Sequence, residues 1–267
     1  MNTFKKITIA AVALGLVGSG LLVSKTVFAD KQQSSELKTK GTLTVGLEGT
    51  YSPFSYVGKN GKLTGYDVDV ATQVAKKLHL KVKFVETKFD SLPAGLDANK
   101  FDVIYNDMGI NPQRQKNYSF GSQYLYTKGV LIVKKGSTLK DPAKVKGEKL
   151  AQSTSSNYGV TAQKLGADII ASPGFTESLD LVESGKAAGT FNSADSWGVY
   201  KKANPKTDLV AIDASKVLPK SGAAPMLRKD NSALAKKITK AQKALQKDGT
   251  LKKLSIKYFG SDLSKEK

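Results

Sequence analysis

From residue 43 onward the apolar positions follow two rhythms. One alternates or runs unbroken, as strands do; the other repeats every three to four residues, as amphipathic helices do. Residues 43–47 form a β-rich run. Runs at 54–57 and 63–65 flank Gly58-Lys59-Asn60-Gly61, and an Asn-Gly pair so placed predicts a hairpin. Val70, Val74 and Leu78 recur at spacings of four, which predicts a helix over 69–78. A strand follows at 81–86, a short helix at 91–98 and a strand at 101–105. That β-α-β-α-β order predicts an α/β sheet with helices on its faces.

A second unit repeats the alternation. Strands are predicted at 129–134, 149–152, 168–171, 189–192 and 209–212, with helices over 158–165 and 178–184. The pattern returns through Pro219 and Gly222 to a strand at 225–228. Two helices close the chain. Leu234, Ile238, Ala241 and Leu245 share one face of the first, and Gly249 fits its stop. Leu251, Leu254 and Tyr258 share a face of the second, which ends at Gly260. The chain thus crosses between two α/β lobes near 124–128 and again near 216–222. A double crossing predicts a hinged cleft, where ligands settle. The predicted layout is lobe 1 from 41–126 plus 222–267 and lobe 2 from 127–221.

The first 29 residues break this rhythm. Lys5 and Lys6 precede an apolar run over 7–23, and Val27-Phe28-Ala29 is a small-x-small cleavage pattern. This predicts a signal peptide over 1–29 and export of the rest. Residues 30–40 are polar and aperiodic, a predicted flexible leader.

Charge and composition then narrow the function. The 267 residues carry 42 Lys+Arg against 23 Asp+Glu, a formal charge of +19. Cleavage after Ala29 removes three lysines and no acid. A secreted protein this basic attracts anionic cell-wall polymers or matrix. The lysines are spread along the chain rather than gathered in one motif, which argues against nucleic acid. Cys is absent, which excludes disulfides, thiol catalysis and a lipid-modified cysteine anchor. The single histidine, His79, sits at a predicted helix end, and Trp197 falls in a predicted core helix. No metal site, cofactor or catalytic pair is expected.

Three stretches carry candidate chemistry. Glu48 ends a strand and is followed by Tyr51, Phe54 and Tyr56, which fit either a pocket wall or core. Asn106, Asp107 and Gly109 end another strand and turn toward Arg114, which could grip a carboxylate or merely pair on the surface. Gln152 to Asn157 is a small polar turn before a helix, an anion site or an ordinary cap.

Read together, these stretches resemble a known family. Glu48-x-x-Tyr51-x-Pro53-Phe54 is followed by Gly65-Tyr66-Asp67-Val68-Asp69 and Phe89-Asp90-Ser91-Leu92. Tyr118-Ser119-Phe120, Asp248-Gly249-Thr250 and Tyr258-Phe259-Gly260 complete the set over residues 40–260. The chain is similar to the polar amino-acid-binding proteins of ABC importers, among them cystine-binding and basic surface proteins of lactic-acid bacteria. That resemblance implies an α/β fold of the two-lobed, type II periplasmic-binding-protein kind. It also implies a monomeric secreted receptor, held at the surface by charge, that delivers an amino acid to an ABC permease. A surface adhesin for matrix or cell-wall polyanions is the alternative, and an enzyme of the same fold a third.

The resemblance also implies roles. Arg114 would hold the ligand α-carboxylate, with donors from Gly109, Ser155 and Ser156. Asn106, Asp107 and Glu48 would face the ammonium or side chain. Tyr51, Phe54 and Phe89 would stack on the apolar body, and Gln152 would approach from lobe 2. One departure stands out. The family places an aspartate after a lobe 2 strand, and here that position is Ser193, with Asp195 two residues late. Either Asp107, which stands where a small residue is common, or Glu48 or Asp195 takes over, or amino-acid affinity is weakened.

Overall fold

The computed structural model describes residues 37–218 and 221–266. The predicted signal peptide 1–29, and most of the predicted leader, lie outside the described residues. The chain enters at β1 (Thr42–Leu47) and makes a small meander of β2 (Thr50–Tyr51), β3 (Ser55–Val57) and β4 (Leu63–Thr64). Then come α1 (Tyr66–Lys77), β5 (Lys81–Glu86), α2 (Leu92–Asp97), β6 (Val103–Ile104), α3 (Pro112–Asn117) and β7 (Tyr118–Phe120). Strand β8 (Leu125–Thr127) leads to a second unit of β9 (Gly129–Lys134), β10 (Lys149–Gln152), α4 (Asn157–Lys164), β11 (Asp168–Ala171) and α5 (Phe175–Glu183). That unit ends with β12 (Gly189–Ser193), α6 (Ala194–Ala203) and β13 (Leu209–Asp213). The chain returns through β14 (Ser221–Ala223) to β15 (Met226–Arg228), α7 (Ser232–Lys247) and α8 (Thr250–Phe259).

Two five-stranded mixed sheets result, in the orders β5-β1-β6-β15-β7 and β11-β10-β12-β9-β13. β1 lies parallel to β5 and β6, while β15 runs antiparallel beside β6. β10 lies parallel to β11 and β12, while β9 runs antiparallel to β12 and β13. The two crossings, β8 and β14, pair antiparallel with each other as a two-stranded connection. An α/β chain with two sheet-bearing lobes is what the alternating pattern predicts.

A central strand is covered on both faces, so β1 cannot alternate polar and apolar. Leu43, Val45 and Leu47 are fully buried on one face. On the other, Gly46 faces the Phe101 ring, which would lie 2.6 Å from any β-carbon there. Leu43, Val45, Val70 and Val74 share one core with Leu234, Ile238, Leu245 and Leu251. The C-terminal helices therefore close over the first sheet, which explains why their apolar faces need no partner in the second.

Two predicted boundaries move. Helix α1 begins at Tyr66, three residues before the periodic signal. Asp67 is fully buried there, and a buried carboxylate interrupts an apolar pattern that is otherwise continuous. Strand β6 is shorter than 101–105, although Asp102 and Tyr105 still donate their N–H groups to Thr44 and Gly46 carbonyls of β1. His79 is exposed in a left-handed conformation just past α1 (φ 56°). Trp197 is half-buried and stacks on Tyr200. Among the described residues no helix is long and apolar enough to cross a membrane.

Ile238 is fully buried in the shared core, whereas Ile256 of α8 is 46% exposed. Ile238→Ala should lower the unfolding free energy by about 3 kcal/mol. The same change at Ile256 should cost under about 1 kcal/mol. Urea denaturation of the two variants checks the pair.

Candidate functional site

The ends of strands from both sheets converge on one cavity. The outer ends of parallel strands are where open α/β sheets expose backbone and side chains to a ligand. β1 delivers Glu48, β6 delivers Asn106 and Asp107, β10 ends in Gln152, and β12 carries Thr190 and Asn192.

The cationic wall belongs to Arg114. Asn111 caps α3 by accepting the Arg114 N–H at 2.7 Å, and Pro112 sets the first turn. The guanidinium is folded back from there into the cavity and the side chain is buried. Nη1 donates to the Gly109 carbonyl at 2.7 Å and Nη2 to the Ser155 carbonyl at 2.9 Å. The Phe89 ring lies 5.8 Å from the guanidinium carbon. Burial pulls the Arg114 pKa down to about 10, so the group stays charged at neutral pH. No carboxylate pairs with it among the described residues. A buried cation satisfied only by carbonyl dipoles favours an anion brought from outside.

The opposite character comes from three acids. Glu48 is buried, and Asn106 grips it from two sides. Asn106 Nδ2 donates to Glu48 Oε2 at 2.6 Å, while Asn106 Oδ1 accepts the Glu48 N–H at 2.7 Å. Burial pushes the Glu48 pKa up to about 7, opposed by the Asn106 bond and reinforced by Glu177, Asp90 and Asp67. Asp107 adopts a left-handed backbone conformation (φ 46°) and donates its N–H to Asp67 Oδ2 at 2.7 Å. Its carboxyl is also pushed well up, by burial first and then by Asp67 and Asp195. Asp67 itself is fully buried, accepts the Tyr124 hydroxyl at 2.7 Å and is raised to about 7 by burial. Asp67 thus fixes the turn that aims Asp107.

The two sides of the cavity touch. Tyr51 donates its hydroxyl to Asn192 Oδ1 at 2.9 Å and lies 3.0 Å from Ser196 Oγ. Asn111 Nδ2 donates to Asn157 Oδ1 at 2.7 Å, and Ser155 Oγ donates to Asp90 Oδ1 at 2.5 Å. With Arg114 to Ser155, these bonds join elements of the first sheet's side to those of the second. The arrangement is closed.

Nine of the sequence-predicted residues line the cavity: Glu48, Tyr51, Phe89, Asn106, Asp107, Gly109, Arg114, Gln152 and Ser156. Ser155 stands beside it, its carbonyl turned to Arg114 and its hydroxyl to Asp90. Three expectations are corrected. Phe54 is fully buried core, its ring 4.8 Å behind Tyr51 and 5.5 Å from Phe259, so it backs the wall without reaching the cavity. Ser193 is fully buried as the cap of α6, accepting the Ser196 N–H at 3.1 Å. Asp195 is carried by the first turn of α6 toward Thr127 of β8 and lines a separate hollow beside the crossings. It cannot replace a cleft acid. Gln152 also turns inward, donating to Thr190 Oγ1 at 3.2 Å.

Sequence reasoning missed Tyr158, Gly174, Phe175, Ser178, Thr190 and Asn192, which complete the lining with Ser153 and Asn157 of the predicted polar turn. Thr190 and Asn192 were findable: polar residues two apart on a buried strand share one face. Phe175 was not, since an aromatic at a helix start reads as core.

Glu48 sets a pH dependence. Its unfolded value is near 4.5 and its folded value about 7, so the folded state binds the proton more tightly. Stability therefore falls as pH rises across that window. At pH 8 the ligand-free Glu48→Gln variant should be more stable than the parent by about 2–3 kcal/mol. The difference should vanish near pH 4, as thermal unfolding at both values would show.

Comparison with known proteins agrees with this geometry. Residues 43–261 match the bacterial extracellular solute-binding proteins, family 3. A probable amino-acid ABC transporter-binding protein of Haemophilus influenzae is 40% identical over 93% of this chain and 98% of its own length. The L-cystine-binding protein TcyA of Bacillus subtilis is 38% identical over 98% and 97%. The crystal structure of the L-cystine solute receptor of Neisseria gonorrhoeae, unliganded and open, is 42% identical. It matches over 85% of this chain and 96% of that one, with a TM-score of 0.56. By fold, by site and by the matched span, this chain belongs to the bacterial extracellular solute-binding proteins of family 3.

Proposed function

We propose that the chain is an exported receptor that captures an amino acid, L-cystine favoured, and delivers it to an ABC importer. The observation that carries this is the buried Arg114 guanidinium, without a carboxylate partner, in one cavity with the raised acids Asp107 and Glu48. An α-amino acid supplies both missing charges. Its carboxylate would take the guanidinium, with the backbone at Gly109 beside it, whereas the Ser156 hydroxyl is spent on capping α4, donating to the Ser153 carbonyl at 2.9 Å and accepting the Gly159 N–H at 2.9 Å. Its ammonium would sit against Asp107. The lobe 2 acid usual in such receptors is absent here, and Ser193 is spent on capping α6. Asp107, aimed by Asp67, stands in for it from lobe 1. Tyr51, Phe89 and Phe175 would flank the apolar body. The amino-acid ABC transporter-binding relative of Haemophilus influenzae supports amino-acid cargo, and the L-cystine-binding relative of Bacillus subtilis supports the choice of cystine.

The two lobes, 41–126 with 222–267 and 127–221, would move as rigid bodies about β8 and β14. At 42% identity each lobe should superpose closely, so a TM-score of 0.56 against an open receptor fits a closed form here. Ligand charges bridging Arg114 and Asp107 would stabilise that form over the open one. Residues 1–29 would direct export, in keeping with an extracellular or periplasmic family. Nothing in the cleft or the comparisons supports the adhesin reading, which rests on surface charge alone.

Calorimetric titration with L-cystine and a panel of natural amino acids tests the proposal, after unfolding and refolding to strip carried-over ligand. One or two amino acids should bind tightly. Arg114→Lys and Asp107→Asn should each weaken the preferred ligand at least 30-fold, about 2 kcal/mol or more. Parent-like affinity in either variant would overturn the assignment of that charge.

Binding should also depend on pH. Glu48 and Asp107 are raised by burial, with Asp67, Asp90, Glu177 and Asp195 as the acids acting on them. An arriving ammonium favours their ionised forms, so capture releases protons. Affinity should fall as pH drops through about 7, where Glu48 takes up its proton. Titration in two buffers of different ionisation enthalpy would detect the released protons.

A further inference from the structure

The polar turn ahead of α4 divides its donors between the two sides of the cleft. Ser156 is satisfied within the turn: its hydroxyl caps α4 and its N–H returns to the Ser153 carbonyl at 3.2 Å. The donors just before it reach across instead. The Ser155 hydroxyl donates to Asp90 Oδ1 at 2.5 Å, and the Ser155 N–H to the same oxygen at 3.2 Å. The Thr154 hydroxyl donates to Asp90 Oδ2 at 3.2 Å. Asp90 belongs to the short turn Phe89–Ser91 between β5 and α2, on the first sheet's side. Phe89 of that turn lines the cavity, whereas Asp90 is exposed and lies outside the lining. Among the described residues Asp90 has no ion-pair partner. The bonds its carboxylate accepts come from the opposite lobe.

Resting on the receptor reading above, we infer that Asp90 is a positioning residue for capture: it holds the Thr154–Ser155 turn of lobe 2 to lobe 1 without touching the cargo, and so sets how long any cargo stays enclosed. A carboxylate accepting N–H and O–H groups makes charge-assisted bonds, stronger than neutral ones. Its negative charge near the start of α4 also suits the helix dipole. Ser155 is held from two directions, its carbonyl by the Arg114 cation and its hydroxyl and N–H by the Asp90 anion. In an open form water takes these groups, so only the closed form gains. The factor by which Asp90 favours closure then multiplies the affinity of every ligand that needs closure. A residue lining the cavity acts differently, since its loss changes affinity ligand by ligand. The lobes must part before cargo leaves, so the contact slows release and leaves association nearly unchanged.

The Asp90 charge also acts through space on Glu48 and Arg114, raising both, so charge and contact have to be separated. Calorimetry and the release of radiolabelled ligand do this with the preferred amino acid and a second, weaker one. Asp90→Ala should weaken both ligands by the same factor, about tenfold, through faster release. Asp90→Asn, which keeps one acceptor without the charge, should fall between that variant and the parent. Ser155→Ala keeps the Asp90 charge and should reproduce most of the loss. The double variant Asp90→Ala with Ser155→Ala should be little weaker than Asp90→Ala alone, because both changes remove one interaction. Additive losses, or a loss in Asp90→Ala that differs between the two ligands, overturn the inference while the receptor reading stands. Tighter binding by Asp90→Ala overturns it as well, and would make Asp90 a competitor for the Ser155 donors. Failure of every amino acid to bind overturns both.

Discussion

A guanidinium withdrawn from water and answered only by carbonyl oxygens is the constraint on which the site depends. Arg114 donates to Gly109 on its own side and to Ser155 on the other, so the same buried charge that calls for an anion also draws the two lobes together. Solvating a buried cation with dipoles alone is costly, and a carboxylate reverses that cost in one step. The acids opposite Arg114 are held under the matching strain. Burial raises Glu48 and Asp107 because their negative charges lack a cation. The cleft is therefore polarised before any ligand arrives.

Closure follows from the same economy of contacts. Tyr51 to Asn192, Asn111 to Asn157, Ser155 to Asp90 and Arg114 to Ser155 are among the cross-cleft bonds. Each contributes about 1 kcal/mol net when exchanged against water. A few such bonds hold the closed form close in free energy to an open one. On the proposed receptor reading, a ligand that satisfies the buried charges decides the balance. The paired strands β8 and β14 are a small element to move, whereas each lobe has its own hydrophobic core.

On the proposed reading, the acid that would meet the ligand ammonium has moved from lobe 2 to lobe 1. Position 193 is a serine whose hydroxyl caps α6, and an acid there would have to serve both the helix and a ligand. Asp107 takes a left-handed backbone instead, and the buried Asp67 fixes that turn through the Asp107 N–H. Asp67 is in turn held by Tyr124, just before β8. A chain of hydrogen bonds thus runs from the strand crossing to the acid that faces the cleft.

Much of this protein is determined by local sequence. The alternation of runs with period two and spacings of four produces the two α/β units, because each element buries its own apolar face. The Glu48 strand end, the turn to Arg114 and the Ser155–Ser156 cap are also local, since strand ends and helix starts expose polar groups to a ligand. Tertiary structure decided what local patterns could not. Phe54 and Tyr51 are neighbours in sequence and both aromatic, yet packing against Phe259 sends one into the core and leaves the other in the cleft. Asp195 and Asp107 are both acids after strands, yet a helical turn carries the first toward Thr127 and Asp67 holds the second in place. Thr190, Asn192 and Phe175 matter only because two distant lobes meet. That meeting is set by long-range packing and charge, which no window of sequence contains.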